Sequence, residues 1–595
     1  MRSALGLFAL ALLVYTVNLH SIAGGGDTEP AKLLPVSLLR HGSLYLDDVA
    51  PLYQGYVWRI DIPSEGRFHS VMLRRGHWVS AYPVVLPIVA APFYLPVVWF
   101  LDHYAVPDEH PLALSLFDLM EKATAAAVAA ASVAVLFLVL RRFCPPRTAA
   151  VLALLYAFGS NTWAVSSQAM WQHGMSELLI AVALLLLRGT QAEDGRVRLA
   201  LAGSGLATAL AAANRPPNAI LAVALALYVV HRLRGRSWPF FLFPPLVAAL
   251  QLGYNLYFFG SLAGGYAGHG SGWWTPILEG LAGLLVSPSR GLFVYTPWTL
   301  FSVWGAILVW RSRTWLLLRY LSIAVAGQLL LYAQWMMWWG GAGFGPRLIT
   351  DLLPLLTLLV VPVVAVARSG AVRGLLAAAA LAAVAIQGVG AFLQFPGLDE
   401  PARLWSWRQS QLAVALRDRN AAPATQLRNW IALRDLFALD AGERRAAFRT
   451  SGGGVVHRAV LLFSAAGTVA RHPVPARGWV RRSAPGERGL LVVDPYLPLS
   501  PGRYRATLQM RAWPPGGAPT AAVQVSTGAP RQPLAQVAVA SVGGPGGSFG
   551  QLQVPFEVPP GSRRQLIELA LLATGVAEVE VEQVEVEPLA VGMPP

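Results

Sequence analysis

Residues 118–142 read DLMEKATAAAVAAASVAVLFLVLRR, an apolar run that ends in a pair of arginines. The run is long enough to cross the hydrocarbon core of a bilayer, which takes about 20 residues of helix. Basic residues beside a spanning helix favour the cytoplasmic side. The stretch therefore predicts a membrane helix whose C-terminal end, at Arg141 and Arg142, faces the cytoplasm.

The composition of the whole chain indicates that lipid is its solvent. Of 595 residues, 55% are hydrophobic and 13% are charged, against about 25% charged in an ordinary soluble domain. The net charge of +15 comes from short arginine clusters between apolar runs, as is typical of cytoplasmic loops near anionic lipid. Nucleic acid is therefore not an expected partner. The single cysteine, Cys144, excludes an intramolecular disulfide.

Apolar runs of similar length recur as far as residue 391, each compatible with a membrane helix. They lie at about 3–19, 83–101, 118–140, 147–163, 171–188, 199–213, 217–231, 239–259, 292–310, 315–337, 347–367 and 371–391.

The arginine clusters set the orientation of these runs. From Arg141 to Arg373 they occupy every second loop, and all of these loops should be cytoplasmic. Residues 20–117 then lie on the outer side, so that run 83–101 does not cross. Four prolines interrupt that run, which suits an interfacial or re-entrant segment. We expect about 11 spans, and a tail after residue 391 that is extracytoplasmic.

The sequence pattern changes after this bundle, which comprises residues 1–391. Residues 392–454 have the pattern of amphipathic helices, as from Leu404 to Leu416, and end in a glycine linker. Over residues 455–595 apolar and polar residues alternate between turns rich in Gly and Pro, as in Glu578 to Val586. This predicts a β-sandwich of about eight strands, an architecture that often binds carbohydrate. The fold class is therefore mostly α, with a C-terminal extracytoplasmic β-sandwich.

A few polar residues in the outer loops are candidates for chemistry. Asp27 follows the first helix on a glycine-rich turn, where its carboxylate could accept a proton from an acceptor hydroxyl or could simply be solvated. Arg290 and Arg347 lie on the outer side against the charge rule, so they either bind an anion or have a local role, such as a pair between Arg347 and Asp351. His173, at the mouth of a helix, is a candidate ligand of a sugar or a metal, or an interfacial histidine.

Four segments together resemble the membrane glycosyltransferases of GT-C fold, which include the protein mannosyltransferases and the lipid A aminoarabinose transferases. They are DTEPAKLLPVSLLRHGSL at 27–44, GHWVSAYP at 76–83, SPSRGLFVYTP at 287–297 and WWGGAGFGPRLITD at 338–351. In that superfamily an acidic residue follows the first helix, and an Arg-x-Gly element comes fifteen residues later. The resemblance covers about residues 1–391.

The resemblance implies roles for particular residues. Asp27 matches the acid that activates the acceptor, and Glu29 lies near a second acidic position. Relatives commonly have Lys before the Tyr-Pro pair to bind lipid phosphate, whereas this chain has Ala81. The phosphate of the donor would then be bound by a set of other residues, and the sugar or acceptor would contact a second set. The first set is His77, Tyr82, Arg290 and Arg347, and the second is His173 and Asp351.

The sequence thus predicts a multi-pass glycosyltransferase of a bacterial inner membrane, which moves a hexose or pentose from a polyprenyl-phosphate donor to an extracytoplasmic lipid, glycan or protein. The sequence requires no cofactor, and the resemblance leaves a divalent cation open at Asp27 or Glu29. The main alternative is a transporter or flippase of lipid-linked glycans. Against it, charged residues are scarce within the apolar runs, and no inverted repeat is visible. A third alternative is a non-catalytic scaffold of glycan assembly.

Overall fold

The structure is a computed structural model of the chain. It describes residues 2–19, 21, 24–47, 70–104, 111–187, 195–269, 272–341, 343–367, 369–395, 401–420, 455–459, 462, 464, 466–471, 479–513, 518–527, 532–544, 548–559 and 565–589. The chain divides into two compact units. The first consists of residues 1–46, 66–94 and 119–424, and the second of residues 47–65, 95–118 and 425–595.

Each apolar run of the sequence contains an α-helix. In the described residues the helices, in chain order, are α1 Arg2–Thr16, α2 Glu29–His41, α3 Val85–His103, α4 Pro111–Leu140, α5 Pro146–Phe158, α6 Gln172–Leu186, α7 Gly195–Asn214, α8 Ala219–Leu233, α9 Pro244–Phe259, α10 Ile277–Val286, α11 Leu292–Tyr295, α12 Leu300–Arg311, α13 Leu316–Ala333, α14 Leu353–Val366, α15 Gly370–Phe392, α16 Pro401–Leu404 and α17 Gln411–Asp418.

Seven segments of the described chain are long and apolar enough to cross a membrane. They are Val85–His103, Ser115–Leu140, Arg196–Asn214, Pro216–Phe241, Leu316–Ala333, Arg347–Val366 and Gly370–Phe392. Four shorter apolar helices, α1, α5, α6 and α10, accompany them. The prediction of a mostly α-helical, polytopic membrane protein is therefore confirmed, while the number of spans and their orientation stay predictions.

The run at 83–101 differs from the expectation, because its prolines do not break the helix. Helix α3 is continuous over 19 residues and is long enough to cross. Pro83 precedes it, and Pro87 lies in its first turn, where no intrahelical partner for the missing N–H is lost. Pro92 and Pro96 are interior, and membrane helices tolerate such prolines where their surroundings satisfy the freed carbonyls. Our expectation of an interrupted helix was wrong.

Glycines allow helices of the first unit to approach closely. A Cβ atom added to Gly305 in α12 would lie 1.6 Å from the carbonyl oxygen of Leu359 in α14, and one added to Gly280 in α10 would lie 1.8 Å from that of Ala333. Small residues at helix contacts are the usual means of close packing where lipid removes the hydrophobic drive between helices. These contacts fix the helices that flank the loop at 334–346.

Two sheets of the second unit form the β-sandwich. After a hairpin of the first unit, β1 Val71–Arg74 and β2 His77–Ser80, the strands of the sandwich are β3 Val455–Arg458, β4 Thr468–Arg471, β5 Trp479–Ser483, β6 Arg488–Leu499, β7 Gly502–Trp513, β8 Ala521–Thr527, β9 Pro533–Val539, β10 Gly550–Val558, β11 Gln565–Thr574 and β12 Glu578–Pro588. One sheet has the order β10-β7-β12-β5-β4 with β3 also on β12, and the other has the order β6-β11-β8-β9.

A single apolar core joins the two sheets. Leu508 and Val581 enter it from the larger sheet, and Val523 and Leu569 enter it from the smaller one. The alternation of apolar and polar residues places every second side chain on this inner face. The predicted sandwich is confirmed, with ten strands in the described residues against the eight or so that the turns suggested.

The helices that the structure describes between α15 and residue 420 are short. The expected helix from Leu404 to Leu416 is two helices, α16 and α17, separated by a turn. Ser410 ends that turn, and its hydroxyl accepts a hydrogen bond from the N–H of Ala413, which caps α17. Residues 421–454, including the predicted glycine linker, lie outside the described residues.

Candidate functional site

Asp27 lies immediately before α2, and two distant segments of the chain reach its carboxylate. Its Oδ1 accepts a hydrogen bond of 2.9 Å from the Tyr82 hydroxyl, and its Oδ2 lies 2.8 Å from Nη1 of Arg347. The Asp27 side chain is 28% exposed, whereas that of Arg347 is 11% exposed. The predicted acid therefore combines with two of the predicted phosphate ligands in a partly exposed group, here called the Asp27 cluster.

A hairpin leads Tyr82 to this position. Strands β1 Val71–Arg74 and β2 His77–Ser80 pair antiparallel, and the Ser80 hydroxyl, just before the turn, donates to the carbonyl of Tyr82 at 2.9 Å. Gly265 packs directly against the same turn. A Cβ atom at this position would lie 2.1 Å from the carbonyl oxygen of Ala81, so that only glycine fits. Burial, and next the charge of Asp27, raise the pKa of Tyr82 well above its usual 10.0. Its phenol therefore stays protonated and donates.

Arg347 is held on three sides. Its Nε donates to the carbonyl of Gly340 at 2.9 Å, and its guanidinium lies 4.3 Å from the centroid of the Trp171 ring. The residue begins the 3₁₀ segment Arg347–Leu352, so that its backbone is fixed as well. A planar guanidinium stacked on an aromatic ring keeps its edge available for bidentate contacts. With its other edge on Asp27, Arg347 is a positioned cation at the opening of the cluster.

Arg290, the other predicted phosphate ligand, is buried behind the loop that carries Arg347. Its guanidinium donates to the carbonyls of Gly341, Gly343 and Gly345. The Gln411 side chain holds the same loop, accepting from the N–H of Gly345 at 2.9 Å and donating to the carbonyl of Gly343 at 3.0 Å. Arg290 is fully buried, and these hydrogen bonds let its guanidinium hold the loop. Its assignment to phosphate binding stays a prediction.

A second group of charges lies deeper and is centred on Asp351. Its carboxylate is 2.7 Å from Nδ1 of His173, 3.0 Å from Nη1 of Arg215 and 2.9 Å from Nδ2 of Asn218. All four side chains are buried. A buried carboxylate is stable only when its charge is paired and its lone pairs are satisfied, and these three partners meet that condition. These four residues are the Asp351 cluster.

The local ion pair considered from the sequence, between Arg347 and Asp351, is not the one that forms. Arg347 pairs with Asp27, 320 positions away in the chain, and Asp351 pairs with His173 and Arg215. The intervening residues are a 3₁₀ helix rather than an α-helix. The i, i+4 geometry that would bring the two side chains together is therefore not present.

Three consecutive residues connect the two clusters. The ring of Trp171 lies under Arg347, the side chain of Gln172 accepts a hydrogen bond of 3.2 Å from the Tyr266 hydroxyl, and His173 contacts Asp351. Tyr266 in turn lies beside Tyr82, with ring centroids 5.8 Å apart. The start of α6 and the 3₁₀ segment thus each contribute to both clusters.

Sequence reasoning missed several members of this site, namely Trp171, Arg215, Asn218 and Tyr266. A signal for one of them was present. Arg215 lies in the segment Asn214-Arg-Pro-Pro-Asn218, between two apolar runs and on the predicted outer side. The argument that singled out Arg290 and Arg347 therefore applied to Arg215 too. The tyrosine and the tryptophan had no such signal, since aromatic residues are common at membrane interfaces.

Two predicted residues have other described contacts. Glu29 is in the first turn of α2 and pairs with Lys32 at 2.8 Å, one turn later. His77, in β2, stacks on Tyr45 with ring centroids 3.9 Å apart. Their assignments to catalysis and to phosphate binding stay predictions.

In the part of the chain that the structure describes, no group of three or more His, Cys, Asp or Glu side chains is placed to hold a metal ion. The Asp27 carboxylate instead has an arginine and a phenol as its partners.

Comparison with known proteins gives structural likenesses only. No family model and no curated protein matches the chain. Among solved structures, ArnT from Cupriavidus metallidurans in the apo state is similar over 73% of this chain and 80% of its own, at 14% identity and a TM-score of 0.40. The carbohydrate-binding module CBM6cm-2 of Cellvibrio mixtus lichenase 5A, solved with cellotriose, is similar over 23% of this chain and 98% of its own, at 8% identity and a TM-score of 0.18.

With TM-scores below 0.5 and identities of 8% and 14%, neither likeness assigns an activity or a substrate to the present chain.

Proposed function

We propose that the chain is a membrane glycosyltransferase that moves a sugar from a polyprenyl-phosphate donor to an acceptor hydroxyl at the outer face of the membrane. One observation carries the proposal: the guanidinium of Arg347 and the phenol of Tyr82, from two distant segments, both contact the partly exposed carboxylate of Asp27. Glycosyl transfer needs a base for the acceptor and a fixed cation for the leaving phosphate, and the Asp27 cluster has both. The segments that supply these groups are those in which the sequence resembles the GT-C enzymes.

Asp27 is the proposed base. Its Oδ2 lies 2.8 Å from Nη1 of Arg347, and its carboxylate is the group that accepts the proton. The acceptor hydroxyl gives its proton to Asp27 as its oxygen forms the new bond to the anomeric carbon. The bond from that carbon to the phosphate oxygen breaks in the same displacement, and the lipid phosphate leaves with the electron pair.

Arg347 is the proposed partner of the leaving phosphate. Its charge is delocalised over a plane that Trp171 and Gly340 hold in place, so it needs little reorganisation as negative charge develops on the phosphate. Tyr82 donates to Asp27 and keeps that carboxylate directed toward the opening. Arg290 acts indirectly, because its guanidinium holds the loop that precedes Arg347 by donating to the carbonyl of Gly341.

The Asp351 cluster is the proposed support of this site. His173 and Asp351 are buried, so we assign them to the positioning of Trp171 and Arg347 rather than to direct contact with a sugar. The β-sandwich remains a candidate for binding the acceptor glycan or a partner, on the strength of its architecture alone.

The test is a mass-spectrometric profile of envelope glycans and glycolipids from a strain that lacks the gene, complemented with wild type, Asp27→Asn or Asp418→Asn. Asp418 is an exposed aspartate of α17 that pairs with its neighbour Arg417, so its variant controls for the chemical change alone. We expect wild type and Asp418→Asn to restore a hexose- or pentose-sized mass that Asp27→Asn does not restore, at equal protein levels. Restoration by Asp27→Asn would contradict the proposed role of Asp27.

A transporter of lipid-linked glycans is the second candidate, and one structural observation favours it. The sequence argument held that charges are scarce in the spans, yet Glu121 and Lys122 in α4 and Glu177 in α6 are all buried. Buried ionisable residues at membrane depth are typical of ion-coupled carriers. If the protein is a carrier, Lys122→Met and Glu177→Gln abolish glycan export, whereas Asp27→Asn leaves it unchanged. If it is a transferase, Asp27→Asn alone removes the sugar-sized mass.

A further inference from the structure

An apolar groove of about 710 Å³ lies on the helical unit, away from the Asp27 and Asp351 clusters. Helices α1, α5, α14 and α15 contribute its lining, which is aliphatic along most of its length, as at Leu152, Leu155 and Leu376. The volume is within the range of about 300–1,000 Å³ that small-molecule sites occupy. Its ligand must therefore be largely apolar.

The groove faces lipid rather than the interior of the bundle. Only 22% of the apolar window of α15 is buried, against 83% for the segment Arg347–Val366. Several of the residues along the groove are exposed, among them Val151 and Leu381. In a chain that spans a membrane, such side chains contact acyl chains.

The two ends of the groove differ in charge. Arg147 at the start of α5 and Arg373 at the start of α15 line one end, with the hydroxyl of Thr148 beside them. Phe158 and Trp163 line the other end, near the end of α5. In the described residues no carboxylate pairs with either arginine. Two positive charges at one end of an aliphatic channel complement a molecule with an anionic head and an apolar tail.

The length of the groove also fits one lipid chain. From Arg147 to Phe158 the helix rises about 16 Å at 1.5 Å per residue. One leaflet supplies about half of the roughly 30 Å hydrocarbon core. Both arginines belong to clusters that the charge pattern places on the cytoplasmic side, opposite the Asp27 cluster.

We propose that this groove is a binding site for an anionic glycerophospholipid of the cytoplasmic leaflet, with one acyl chain along α5 and α15 and its phosphate between Arg147 and Arg373. The site is separate from the donor site proposed above, because Asp27, Tyr82 and Arg347 are not among the residues that line the groove. The inference does not depend on glycosyl transfer and holds equally if the protein is a carrier.

The experiment is native mass spectrometry of the purified full-length protein, titrated with dioleoyl phosphatidylglycerol or with dioleoyl phosphatidylcholine. Each basic residue near an anionic headgroup contributes about 1 kcal/mol. We therefore expect phosphatidylglycerol to bind about thirty-fold more tightly than phosphatidylcholine. The double variant Arg147→Gln/Arg373→Gln should lose this preference. Arg147→Lys/Arg373→Lys should largely keep it, which shows that the loss is one of charge and not of folding.

Two matched controls separate a built site from general attraction. Arg232→Gln/Arg236→Gln removes the same charge from another basic loop and should leave the preference unchanged. Ala380→Trp fills the groove and should weaken the binding of both lipids. Ala378 is exposed on α15 but does not line the groove, so Ala378→Trp should weaken the binding of neither. Equal binding of the two lipids to wild type, an equal loss in both glutamine variants, or lipid-free dimers that Ala380→Trp abolishes would each overturn the proposal.

Discussion

Two aspartates of the helical unit each pair with an arginine, but in different surroundings. Asp27 is 28% exposed and has Tyr82 and Arg347 as described partners, whereas Asp351 is buried and has His173, Arg215 and Asn218. An ion pair at the surface can exchange a partner for a substrate at small cost. A saturated buried pair cannot, because an uncompensated charge in the interior costs several kcal/mol. On this ground we propose chemistry for Asp27 and structural support for Asp351.

The largest expected effect is on turnover at Asp27. Loss of a general base typically costs 10²–10⁴-fold, so we expect Asp27→Asn to lower the rate by about that factor. The free energy of unfolding should change by less than about 1 kcal/mol, because the ion pair is partly exposed. Initial rates and thermal unfolding of the purified variant measure the two quantities. A large loss of stability with unchanged rate would reverse the roles of the two aspartates.

A large loss of stability is expected instead at Asp351. Asp351→Asn leaves Arg215 buried without its counterion, and we expect unfolding to become easier by about 3–5 kcal/mol. Equilibrium unfolding in mixed detergent measures this change. The double variant Asp351→Leu/Arg215→Met removes both charges and should recover a good part of the lost stability, since apolar pairs often replace buried ion pairs well. A double variant no more stable than Asp351→Asn would argue against charge as the cause.

A smaller effect is expected at Tyr82, which supplies one hydrogen bond to the Asp27 carboxylate. Such bonds to charged groups contribute about 1.5–3 kcal/mol, so Tyr82→Phe should lower turnover roughly 10- to 100-fold. The raised pKa of Tyr82 keeps its proton in place, so the ratio of wild-type to variant rates should be constant between about pH 6 and about pH 9. A ratio that changes across this range would show that Tyr82 itself titrates.

The smallest expected effect is at Trp171, under the guanidinium of Arg347. Cation–π contacts contribute about 0.5–2 kcal/mol, so Trp171→Leu should lower turnover by at most about 30-fold while leaving stability near that of wild type. Because the ring positions Arg347, we expect the Michaelis constant for the lipid donor to rise. Trp171→Phe, which keeps an aromatic face, is the matched control and should recover part of the loss.

The sequence was most informative where long periodic segments left few alternatives. The apolar runs gave the helices, and the alternation in Glu578–Pro588 gave a strand of the sandwich. It was less informative where neighbours override a local rule. The prolines of α3 did not break that helix. The stretch from Leu404 to Leu416 runs from the end of one short helix, through a turn, into a second. Contacts made after folding, rather than local propensity, decide such cases.

By itself the sequence determined the class of the molecule, a helical membrane domain with a β-sandwich, because composition and period reflect the solvent that each face meets. It also singled out Arg347, as a cation on the predicted outer side, and Asp27, as an acid on a glycine-rich turn after the first helix. Only the tertiary structure decided that these two residues pair, that Arg290 holds a loop, and that Arg215 completes the charge balance of Asp351. These contacts join residues between 51 and 320 positions apart in the chain, and no local pattern encodes a contact of that kind.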